Sequence, residues 1–201
     1  MRKWKRWEIS LAVGMMLAIL WTLFSPFEKA CDQVRQDTLR LHILANSDSD
    51  EDQALKLAVR DAILETQGSL FGAADTKAEA VETASRQLED IQQVAQQTVR
   101  DAGYSYPVTV KLENIYFATR EYEDFTLPAG RYDAVRVEIG KHEGHNWFCV
   151  LFPPLCVPVA VDADDTAQYS DKEEQTVKSP YKIKFAAVEF LEQIKESLAS
   201  G

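Results

Sequence analysis

Sixteen consecutive uncharged residues, Ile9 to Phe24 (ISLAVGMMLAILWTLF), follow the basic cluster Arg2, Lys3, Lys5 and Arg6 and precede Ser25-Pro26 and renewed charge. Such a run has no polar face, so it cannot lie half-exposed on a water-soluble fold as an amphipathic helix does. A basic segment ahead of an apolar stretch is the pattern of an export signal, slightly short of the roughly 20 residues of a spanning helix. Residues 1–30 therefore read as a signal peptide or signal anchor, with an apolar helix over residues 1–25 that makes no packing contacts with the body. Residues 31–201 read as one extracytoplasmic domain. A cleavage site is poorly supplied, because cutting after Ala30 puts the charge of Glu28 where a small residue is needed. Glu28-Lys29-Ala30 ahead of Cys31 likewise lacks the apolar and small residues of a lipidation signal.

The rest of the chain can build a core. Of 201 residues 46% are hydrophobic and 27% charged, which excludes disordered and fibrous classes. A body of this size buries roughly 70% of its unfolded surface and needs neither metal nor disulfide to fold. Residues 1–30 hold five basic and two acidic residues, so residues 31–201 carry 17 against 30, a formal charge of −13. A body that repels phosphate gains nothing from counterion release, so nucleic acid is excluded as a partner, and the expected partner is a protein or small molecule.

Hydrophobic periodicity gives the order strand, helix, helix, three strands, helix. Leu39, Leu41 and Ile43 alternate with Arg40 and His42, the pattern of a half-buried strand. Asn46 to Asp52 then ends the strand and starts a helix: Asp48 or Ser49 can cap it, and Asp50, Glu51 and Asp52 complement its dipole. That helix carries Leu55, Val59 and Ile63 and ends near Gly68. A second helix over about 75–102, capped by Gly103, carries Val81, Leu88 and Ile91, with Gln, Glu and Arg on its other face. Strands follow at Val108–Phe117, Tyr132–Ile139 and Asn146–Phe152, the last two joined by GKHEGHN as a hairpin loop. Residues 162–178 read as an acidic mobile loop, and Ser179-Pro180 as the start of a last helix with Ala187, Val188, Leu191, Ile194 and Leu198 inward. The expected fold is α+β: a single domain with a mostly antiparallel sheet of about four strands, an antiparallel helix pair on one face and a C-terminal helix. The other sheet face is expected to be at least partly available.

Catalytic patterns are absent from the sequence. An EF-hand begun at Asp48 would need Gly and Glu where Gln53 and Val59 stand. His142 and His145 lie in a Gly-flanked loop with no metalloprotease frame, so no metal or other cofactor is expected. The competing reading is an exported metal-dependent hydrolase using His42, His142 and His145, which requires those side chains to converge in space. Cys149 and Cys156 flank Pro153-Pro154 and can either close a small disulfide loop or serve as buried apolar residues; Cys31 has no assigned role. Two stretches are unusual for a plain scaffold. One is the strand-to-helix corner from Arg40 to Lys56, whose polar residues exceed what a helix cap needs. The other is Asn146–Phe152, apolar on both faces, which must be covered twice or offer one side to a partner.

These stretches carry a resemblance. LRLHILANSDS, then DQALK and VRDA, and the distant NWFCVLFPPLC resemble the stage II sporulation protein R family of endospore-forming bacteria. The resemblance implies a signalling protein, not an enzyme, exported from the forespore into the septal intermembrane space by the export machinery. There it triggers the membrane-embedded aspartic peptidase that processes pro-sigma-E in the mother cell. If the N-terminal segment is uncleaved, the protein is also anchored in the membrane. The expected partner-binding residues are Arg40, His42, Asn46, Asp48, Asp52, Gln53 and Lys56, extended by Asn146 and Trp147 if the two stretches meet.

Overall fold

The computed structural model describes residues 6–122, 125–155, 169–178 and 182–199. The fold is α+β. Its residues group into two compact units, one of residues 1–34, 118–130 and 171–201 and the other of residues 35–117 and 131–170.

The larger unit is built on a four-stranded sheet. Its strands are β1 (Leu39–Leu44), β2 (Val108–Phe117), β5 (Gly130–Ile139) and β6 (Asn146–Phe152), in the spatial order β2-β5-β1-β6. Two further two-residue strands, β3 (Arg120–Glu121) and β4 (Thr126–Leu127), pair with each other in the smaller unit. Strand β1 is parallel to β5, with Leu41 opposite Val135, and antiparallel to β6, with Leu41 opposite Cys149. Contacts of Asn114 with Asp133 and of Lys111 with Glu138 run in opposite sequence senses, so β2 and β5 are antiparallel. The sheet is thus mostly antiparallel with one parallel pair. Because β1 lies between them, β5 and β6 do not form the expected hairpin: residues 140–145 cross over the end of β1.

Helices α2 (Asp50–Gly72) and α3 (Lys77–Asp101) form the expected pair. Helix α2 runs through Gly68 to Gly72, and only residues 73–76 separate the two helices. Thr76 caps α3 by accepting from the Glu79 amide at 3.3 Å, and Gly103, with φ +85°, ends it in the left-handed conformation glycine adopts without strain. Leu55, Val59 and Ile63 of α2 and Ala84, Ile91 and Ala95 of α3 share one core with Leu39, Leu41, Ile43, Val135 and Val137.

Not all of the glutamines on α3 face solvent. Gln96 accepts from the Val108 amide at 3.0 Å and donates to the Tyr106 carbonyl at 2.9 Å, and Gln92 accepts from the Val110 amide at 3.3 Å. Among the described residues β2 is an edge strand of this sheet, and helix side chains take bonds that a further strand would make.

The second sheet face is not open at β1. All six residues of β1 are buried, because the strand is central and Arg40 and His42 enter a layer with Phe117, Tyr132 and Phe148. The half-buried strand expected from alternation is a fully buried one.

In the smaller unit, α1 runs from Arg6 to Gln36 and passes through Pro26. The expected end at Ser25-Pro26 does not occur. Proline removes one helical hydrogen bond and crowds the preceding turn, but Phe24, Phe27 and Cys31 pack on Phe185 and Val188 of α5 (Lys182–Ala199) and hold the helix together. The helix therefore does contact the folded chain from Phe24 onward, while Trp7 to Leu23 remains exposed. Among the described residues it is the helix long and apolar enough to cross a membrane, as a signal or anchor must be. Part of the expected acidic mobile loop is also helical: α4 (Asp171–Val177) buries Glu173, Thr176 and Val177, which helical period places on one face. Residues 162–168 of that loop, Ser179-Pro180 and Cys156 lie outside the described residues, so the expected Cys149–Cys156 pair does as well; Cys149 is buried. In α5, Val188 is buried as expected and Leu191 is half-buried, but Ala187, Ile194 and Leu198 are exposed.

Leu41→Ala empties a fully buried site between sheet and helices and is expected to cost about 2–5 kcal/mol in chemical denaturation. Leu57→Ala, on the exposed side of α2, should stay within about 0.5 kcal/mol.

Candidate functional site

The corner between β1 and α2 is where the two unusual stretches meet, since Ile43 pairs with Trp147 and Leu44 with Asn146. Ser49 accepts from the Asp52 amide at 3.2 Å and is the helix cap. Asp48 does not cap: its carboxylate accepts from the backbone amide of His145 and lies beside that residue's Nδ1, both at 2.5 Å. These bonds hold the Asp48 carboxyl below its ordinary range.

Asp52 is the centre of the corner. It is 4% exposed and accepts from the Ser47 hydroxyl at 2.5 Å and the Asn46 amide at 2.8 Å. Burial pushes its pKa up, but hydrogen bonds from Ser47, Asn46 and Tyr106 outweigh that and lower it. Burial and the adjacent Asp52 charge in turn raise the Tyr106 phenol. A carboxylate whose lone pairs are committed to fixed donors is immobilised as an anion, which is the opposite of a poised general base.

The neighbouring polar groups reach the crossing loop. Lys56 is 5% exposed and donates to Gln53 Oε1 at 2.5 Å and to the His145 carbonyl at 2.9 Å; burial lowers its pKa. Gln53 donates to the Ser47 carbonyl at 2.9 Å. Asn46 Oδ1 accepts from the Lys141 amide at 2.9 Å, and the Ala45 carbonyl accepts from the Gly144 amide at 3.0 Å. The approach is so close that a Cβ on Gly140 would lie 2.2 Å from Asn46 Oδ1, and one on Gly144 would lie 2.1 Å from the Ser47 carbonyl oxygen. The polar surplus at this corner therefore has structural tasks, and its size alone no longer argues for recognition. Asp48, His145 and Asn146 remain exposed on its rim.

Arg40 and His42 belong to a different environment, on the sheet face away from α2 and α3. The Arg40 guanidinium sits 4.0 Å over the Phe117 ring centroid and 5.0 Å from that of Tyr132. His42 stacks on Phe148 at 4.8 Å. A cation desolvated among aromatic faces gains about 2 kcal/mol or more from them. Trp147 lies under Arg60 of α2, 5.1 Å away.

The three histidines are not brought together. His42 is in the aromatic layer, His145 is at Asp48, and His142 occupies the exposed loop with φ +49°. Among the described residues no group of three or more His, Cys, Asp or Glu could hold a metal ion, so the convergence a hydrolase needs is not present there. Ser47, Tyr106, Gly140 and Gly144 are the site residues that sequence reasoning passed over. Two glycines four apart in GKHEGHN were the available signal, and they mark close approach to the Asn46 side chain and the Ser47 backbone, not merely a turn.

Comparison with known proteins places these features in a family context. The model of the family described as stage II sporulation protein R matches residues 35–162. The stage II sporulation protein R of Bacillus subtilis (strain 168) is 35% identical over 140 residues, covering 70% of this chain and 62% of the relative. The chain thus matches less than two thirds of that relative's length. No solved structure matches.

Two stability measurements follow. Asp52→Asn leaves the donors of Asn46 and Ser47 facing a weaker acceptor and should cost about 1.5–3 kcal/mol at neutral pH. Because the folded pKa of Asp52 is depressed, its contribution is complete above the unfolded value of about 3.9 and is lost as pH falls through the folded value. The gap between wild type and Asp52→Asn should therefore close in acid. Gly144→Ala, which drives a methyl into backbone, should cost about 1–3 kcal/mol; an unchanged melting curve would show that the crossing loop is not clamped.

Proposed function

The chain belongs to the stage II sporulation protein R family, and from that premise we propose that it is an exported signal which triggers a membrane-embedded aspartic peptidase to process pro-sigma-E. The observation that carries the export half of the reading is the helix from Trp7 to Leu23, apolar and exposed, ahead of an acidic folded body. Such a helix takes the body across the forespore membrane into the septal space as a signal or an anchor. The target peptidase and the compartment rest on the resemblance of the two sequence stretches to the family, and the committed, immobilised state of Asp52 supports a recognising body over a catalytic one.

The docking surface is the exposed rim of the β1–α2 corner. Asp48 and Asn146 present their polar groups there, and Asp52, Lys56 and Gln53 hold the rim in shape from below. Arg40 and His42, at 1% and 7% exposure, support the sheet behind it and cannot touch a partner without rearrangement. Trp147 is half-buried against the same corner.

Reconstitution in a non-sporulating host tests both halves. With the septal peptidase and pro-sigma-E co-expressed, the full chain should bring about shortening of pro-sigma-E, and deletion of residues 2–24 should abolish it. Processing that is unaffected by the deletion removes the export requirement, and no processing by the full chain removes the trigger. Asn146→Ala should weaken processing several-fold with an unchanged melting temperature; wild-type processing by that variant moves the docking surface elsewhere.

A further inference from the structure

Helix α5 buries the wrong amount of its apolar surface. Phe185 and Val188 face the cluster with Phe24, Phe27 and Cys31. On the opposite side, helical period brings Ile183, Ala187, Phe190, Ile194 and Leu198 into one stripe. Ile183 is 86% exposed, Phe190 63%, Ile194 42% and Leu198 79%. No charged residue interrupts that stripe: Glu189, Glu192 and Glu196 lie on the other half of the helix, and Lys182, Lys184 and Lys195 stand along the borders. An 18-residue helix exposing four large apolar side chains in a row requires a covering surface.

What covers it is indicated by where α5 is attached. Lys184 sits 5.3 Å over the Phe27 ring, and Lys195 reaches the neighbouring Glu28 at 3.4 Å. Those lysines are about 16 Å apart along α5 at 1.5 Å per residue, yet they meet adjacent residues of α1. The two helices therefore cross instead of running side by side. The crossing lies where the exposed apolar stretch of α1 ends, at Phe24 to Cys31. If α1 stands in a bilayer, its apolar stretch ends at that level, and a helix packed across it there meets the acyl–headgroup boundary.

We propose that α5 is an interfacial membrane helix, seating Ile183, Phe190, Ile194 and Leu198 at the acyl–headgroup boundary beside the point where α1 leaves the bilayer. This rests on α1 remaining attached as an anchor. The pattern fits: a charge-free apolar face set opposite a charged one is the make-up of helices that lie in the interface plane. A second copy of the chain is the weaker occupant, because the stripe covers only about two heptads, short of the three to four that sustain a coiled coil.

Photocrosslinking of the full chain in vesicles of phosphatidylethanolamine and phosphatidylglycerol tests this. A benzophenone amino acid replaces Phe190 in one protein and Leu17 of α1 in another; both positions are exposed, so folding should survive. The expected result is a lipid mass adduct at both positions. A lipid adduct at 17 with a chain-to-chain adduct at 190 overturns the proposal in favour of self-association. A lipid adduct at 17 and none of either kind at 190 overturns it outright while the anchor stands. A lipid adduct at 190 alone removes the anchor on which the proposal rests and overturns it in this form, and no lipid adduct at either position removes both anchor and interfacial helix.

Discussion

To reach the far side of β1, the chain leaving β5 must pass over the end of that strand in residues 140–145. The passage is held by backbone amides donated to Asn46 Oδ1 and the Ala45 carbonyl and by the His145 amide donated to Asp48. It can come this close because Gly140 and Gly144 have no side chain to obstruct it. Strand β6, the aromatic layer and the corner all take their positions from this crossing. If the loop lifted away, β6 would lose its register on β1, and Trp147 and Phe148 would lose their places with it.

The polar network at the corner is best understood as the underside of that clamp. Asp52 orders Ser47 and Asn46, of which Asn46 holds the loop, and Lys56 reaches the His145 carbonyl from the helix side. A buried carboxylate is costly unless its lone pairs are satisfied, and here several donors converge on it. The same donors that make it tolerable keep it ionised. The corner is thus a rigid platform whose rim is exposed, a suitable base for recognition and an unsuitable one for proton transfer.

Arg40 shows a second solution to buried polarity. Its guanidinium sits over Phe117 and near Tyr132, where ring faces replace part of the lost hydration. Behind it the core of Leu, Val and Ile holds α2 and α3. Glutamines of α3 close the opposite edge of the sheet, so helix side chains guard β2 while a clamped loop anchors β6.

Much of this was legible in the sequence because it depends on local period. The apolar run, the strand at Leu39–Leu44, the two helices, Val108–Phe117 and the family resemblance all follow from residues close together in the chain, where alternation or a three-four spacing fixes which side is buried. Strand order was not legible, because period two tells which residues share a face but not which strand lies alongside. Only the tertiary structure decided that β1 separates β5 from β6, and from that followed the structural work of the surplus corner residues and the burial of Arg40 and His42. It also decided that α1 continues past Pro26, since packing against Phe185 and Val188 outweighs one lost hydrogen bond, and that α5 turns Ile194 and Leu198 outward. An amphipathic helix declares in its sequence that it has an apolar face; which surface covers that face is settled by the position of its neighbours.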